Sequence, residues 1–143
     1  MGEGFFEALL GMFEDPDHLY KIATLLQLET ETKARLRPAI LQLGGTVEQT
    51  EDARQIGRDL AADIASDDWG GFVAALNSAG EPLVTRQREV ANIAPAAHRE
   101  LAESMRIHGE SIENFTEREM AGEVENSIED VVQQLKFPLE RPG

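Results

Sequence analysis

The chain contains no cysteine. Disulfides, thiolate metal sites, iron–sulfur clusters and cysteine nucleophiles are therefore excluded. Aromatic residues are scarce at 6%, with one Trp and one Tyr. No apolar run approaches the ~20 residues that a membrane-spanning helix needs. Basic residues are also few: 13 Lys and Arg face 27 Asp and Glu, a formal net charge of −14. A surface this negative repels both the phosphate backbone and anionic lipid, so neither nucleic acid nor a membrane is an expected partner. Lysine occurs only at Lys21, Lys33 and Lys136. Low lysine with high acid suits a high-salt cytoplasm, where carboxylates keep a screened surface soluble. A halophilic or high-GC source and a cytoplasmic location follow as expectations. The Phe-rich start lacks the basic opening of a signal peptide.

What is present is helical periodicity over 143 residues, of which 41% are hydrophobic. That is one domain's worth of chain, and the alternation of a strand is nearly absent. The spacing predicts an all-α protein: an antiparallel up-down four-helix bundle over 16–121, with a short amphipathic helix at 1–14 and another at 123–137. Short connections between long helices make neighbours antiparallel. Asp15 or Asp17 caps a first long helix whose stripe is Leu19, Ile22, Leu26, Glu29, Lys33, Leu36, Ile40 and Leu43. Gly44-Gly45 ends it. Thr46 and Gln49 read as a capping box for a second helix. There Ala53, Ile56, Leu60 and Ile64 form the stripe, with the small Gly57 and Ala61 alongside for close approach. Asp67-Asp68 caps a third helix with Trp69, Phe72, Val73 and Leu76 inward, and Gly80 and Pro82 predict a kink or break in it. Pro95 opens a fourth, along Ala97, Leu101, Met105, His108, Ile112 and Phe115. The residues after Phe137-Pro138 read as a frayed tail.

Two polar residues fall on apolar stripes: Glu29 on the first long helix and His108 on the fourth. Both lie about halfway along helices that neighbour each other in an up-down bundle, so they are expected to meet. The pair is then a buried hydrogen bond, a charged bridge or half of a metal site. Lys33, one turn after Glu29, competes for its carboxylate. Glu110, Glu113 and Glu117 share one face, which reads as a solvated row able at most to hold hard cations weakly. Ser104 and His108, with Glu103 adjacent, are a poor imitation of a hydrolytic triad, because helical side chains rarely align for proton relay.

Four antiparallel helices with an inward glutamate on the first resemble the ferritin-like superfamily. Its di-iron members take a Glu from each of two helices and a Glu-x-x-His from each of the other two. Here the residues three before His18, His98 and His108 are Asp15, Pro95 and Met105, so the resemblance covers architecture and not the iron motif. It implies that the two-iron centre is lost or replaced: no cofactor is expected, and any metal bound is an iron, manganese or zinc ion held through Glu29 and His108.

Phe5, Phe6, Leu9, Leu10 and Phe13 form an N-terminal apolar stripe. They fold back on the bundle, or they dock a protein partner or a second copy of the chain. With no catalytic motif, the expected function is a non-catalytic interaction or structural module. The other reading is a bundle that binds a metal ion or small ligand through inward Glu and His residues.

Overall fold

The computed structural model describes residues 2–45, 51–64 and 68–143. Those residues form six α-helices and one 3-10 turn, with no strand among them. The helices are α1 (Gly2–Leu10), α2 (Pro16–Gln42), α3 (Glu51–Ile64), α4 (Trp69–Ile93), α5 (Arg99–Met120) and α6 (Glu129–Val132). Local chemistry sets the boundaries. Asp15 caps α2 by accepting from the backbone N–H groups of Asp17 and His18, and Asp68 caps α4 by accepting from Gly71. Gly44 ends α2 at φ +79° and Gly122 follows α5 at φ +85°, a region where a Cβ is strained. The expected capping box at Thr46 lies outside the described residues.

Five helices close a ring of neighbours. α1 packs on α2 and α3, α3 on α4, α4 on α5, and α5 on α2. The N-terminal helix is thus part of the ring rather than an appendage. Small residues allow this. A Cβ on Gly4 would lie 2.9 Å from the backbone oxygen of Arg54, and α3 turns its buried Gly57 and Ala61 inward. Its larger apolar residues, Ile56 and Leu60, stay exposed. The small pair, with Ile64 of the expected stripe, therefore meets the core, and Ile56 and Leu60 do not. The expected stripe of α2 is likewise rotated: its buried face is Lys21, Ile22, Thr24, Leu25, Leu28 and Thr32, while Leu43 is exposed.

Three further expectations are corrected. Of the kink or break expected at Gly80 and Pro82, the break does not occur: α4 runs on through both, packed along α5. Pro95 precedes the 3-10 turn Ala96–His98, so α5 starts at Arg99. The C-terminal helix is short, and the tail is fastened rather than frayed. Glu31 on α2 accepts from the backbone N–H of Lys136 and Phe137, and Arg141 donates to Asp17.

Candidate functional site

Glu29 and His108 meet. The imidazole Nε2 lies 2.9 Å from Glu29 Oε1, joining α2 to α5 across the ring. The His108 side chain is nine-tenths buried, and its Nδ1 has no hydrogen-bond partner. Lys33 does not take the carboxylate; it pairs with Glu3 of α1 at 3.7 Å. The other face of the Glu29 carboxylate is covered by Gly2, where any Cβ would collide with Oε2. Glu29 therefore touches the first turn of α1, whose exposed N–H groups favour an anion.

The pair stands between two hollows. On one side is a cavity of about 260 Å³ to which all five ring helices contribute. Its wall is apolar, formed by residues such as Phe5, Phe6, Leu76, Val84 and Ile112. Asn77, which donates to Thr116 Oγ1 at 2.8 Å, also lines it. On the other side a cleft of about 280 Å³ is lined by Glu3, Thr32, Lys33 and Met105. On the apolar-cavity side Gly109 lets α4 approach α5: a Cβ on it would strike Gln87 Oε1, a buried oxygen without a partner.

As a metal site the pair supplies two donors, and no group of three or more His, Asp or Glu able to hold a metal occurs among the described residues. Three protein ligands are the usual minimum for a catalytic zinc. Among the described residues, Glu29 and His108 together fall one donor short of that number. The carboxylate row on α5 is not bare either. Arg88 bridges Glu110 and Glu113 at 2.9 and 2.6 Å, and Arg106 reaches Glu110. Ser104 accepts from Arg35 rather than facing His108.

The N-terminal stripe is spent on the chain's own core. Phe5, Phe6 and Leu9 are buried, and Leu10 and Phe13 pack against them. Of the two readings of the stripe, folding back on the bundle is the one this burial matches. Burying them inside the ring removes more apolar area from water than leaving them exposed would.

Sequence reasoning missed a second polar centre. Lys21, fully buried on α2, pairs with Glu119 on α5, lies 3.0 Å from Asp17, and donates to the Val124 carbonyl. Trp69 Nε1 and Ser127 Oγ also donate to Glu119. Burial pushes the Glu119 carboxyl up, but the donors Lys21, Ser127 and Trp69 outweigh it and hold it below the usual glutamate range. The Trp69 indole stacks on His18 with ring centres 4.0 Å apart. Lys21 sits one position before Ile22 of the expected stripe, and Glu119 lies one turn past Phe115. Extending both stripes by a residue would have found them.

No family model, curated protein or solved structure matches this chain.

Proposed function

We propose that the chain is a non-catalytic binding protein that holds a small, largely apolar molecule in the cavity beside Glu29 and His108. One observation carries this reading: an apolar-walled space of about 260 Å³ to which all five ring helices contribute and which opens to solvent beside Glu81 and Leu83, edged by a buried imidazole with an unpartnered nitrogen. A space of this size holds a ligand of roughly ten heavy atoms, given that about 150 Å³ suffices for benzene. In this reading α2 to α5 run up and down as an antiparallel bundle, with α1 inserted in the seam between α2 and α3. The ferritin-like resemblance then extends to architecture alone.

Gly80 offers the test. It lines the cavity, and a Cβ there meets nothing within 4 Å. Gly80→Leu would fill the space and also raise helix propensity by up to about 1 kcal/mol. The expected result is a protein at least as stable as the parent that binds 1-octanol or indole about tenfold more weakly in calorimetric titration. Equal binding by parent and variant would refute the cavity as the site.

A protein-interaction module is the second reading. Ile93 at 81% exposed, with Leu83 and Val90 on the same helix, supports it through α4 rather than through the N-terminal stripe. A homo-oligomer formed through these residues would lose self-association in Ile93→Glu.

A further inference from the structure

We propose that the cavity is selective for a ligand whose apolar body ends in an ammonium or other N–H donor. The inference rests on the cavity being a binding site and adds the chemical class of its occupant.

Three observations agree. First, the two buried unpartnered atoms on this side of the α4–α5 packing both call for a donor. In the tautomer whose Nε2–H donates to the Glu29 carboxylate, Nδ1 is left as a lone-pair acceptor. Gln87 Oε1 is an acceptor in any state, and it lies against Gly109, which lines the same cavity. Second, the charge around the cavity has one sign. Glu29, Glu81 and Glu113 line it, and no Lys or Arg does among the described residues. Glu113 is neutralised by Arg88. Glu29 is bonded to His108 Nε2, and Glu81 stands exposed at the rim. Third, a carboxylate ligand would enter a chain of net charge −14 with no guanidinium or ammonium to receive it. An unpaired buried charge is costly, whereas an ammonium beside Glu29 is compensated.

The experiment titrates the full chain at pH 7 with octylammonium, 1-octanol and octanoate, which share one body and differ in the end group. Octylammonium is expected to bind about tenfold or more tightly than either of the others. Glu81→Lys changes only an exposed rim residue. It is expected to weaken octylammonium several-fold and leave 1-octanol unchanged. Gly80→Leu is expected to weaken both. Octanoate binding as tightly as octylammonium would overturn the proposal and leave the cavity reading intact. So would octylammonium binding that persists in Gly80→Leu, because the acidic surface alone would then hold it. If none of the three binds, the cavity reading falls and this inference with it.

Discussion

Lys21 and Glu119 form an ion pair between α2 and α5 in which the lysine side chain is 1% exposed and the glutamate 3%. Nothing in their local sequence demands burial. The pair survives because its remaining hydrogen-bonding capacity is met by Asp17, the Val124 carbonyl, Ser127 and Trp69. It also fixes how α2, α4, α5 and the segment after α5 come together. Taking one partner away strands the other charge. Glu119→Gln is therefore expected to cost about 3–5 kcal/mol in a urea melt, and a loss below about 1 kcal/mol would show that water reaches Lys21.

The same carboxyl gives a pH dependence. Burial raises the Glu119 pKa, its hydrogen bonds lower it by more, and the net direction is below the usual 4.5. Asp17 is also held low, by Lys21 and Arg141 against the opposing effect of burial. Groups depressed in the folded state bind fewer protons there than in the unfolded chain, so stability rises with pH across this range. Their contribution is complete above the ordinary carboxylate pKa and is lost as pH falls through the folded value. Urea midpoints from pH 7 down to pH 3 should drop steeply below about pH 4.5 in the parent. The drop should be shallower in Glu119→Gln.

Trp69 tests how the network and the aromatic cluster divide the work. It is half-buried, stacks on His18, and lies 5.4 Å from the rings of both Phe13 and Phe72. Trp69→Phe removes the donor to Glu119 and keeps a ring, at an expected cost of about 1–3 kcal/mol. Trp69→Ala removes both, at about 3–5 kcal/mol. Equal losses in the two variants would place the whole contribution in the hydrogen bond.

Two glycines should respond in opposite directions. At Gly4 a Cβ would press on the Arg54 backbone, which cannot swing aside as a side chain can. Gly4→Ala is expected to lose about 1–3 kcal/mol by overpacking α1 against α3. At Gly80 a Cβ meets nothing within 4 Å. Gly80→Ala should stabilise by up to about 1 kcal/mol, as a helix-interior glycine relieved of its entropy cost does. Thermal midpoints of the two variants decide the matter. Stabilisation by Gly4→Ala would mean that α1 does not sit where α3 would clash.

Glu29→Ala should leave the buried His108 without any partner, at a cost of about 1–3 kcal/mol. Because Gly2 rests on the same carboxylate, amide exchange in α1 is expected to accelerate alongside. Unchanged protection of α1 would separate the pair from the docking of that helix.

The all-helical class, the caps at Asp15 and Asp68, the stop at Gly44 and the pairing of Glu29 with His108 were legible in the sequence. Each depends on local periodicity or on the chemistry of one or two neighbouring residues. A 3.6-residue repeat and a capping side chain act within a few turns of chain. The tertiary structure alone decided which face of each helix is buried and which helices touch. The apolar residues of α2 and α3 are spread widely enough that a rotation of about 100°, one residue's turn, keeps a plausible stripe. The choice was made by partners distant in sequence: Gly57 and Ala61 because α1 lies on them, and Lys21 because Glu119 and the Val124 carbonyl await it 98 and 103 residues away. The apolar cavity belongs to the same class, since residues of five helices must come together before it exists.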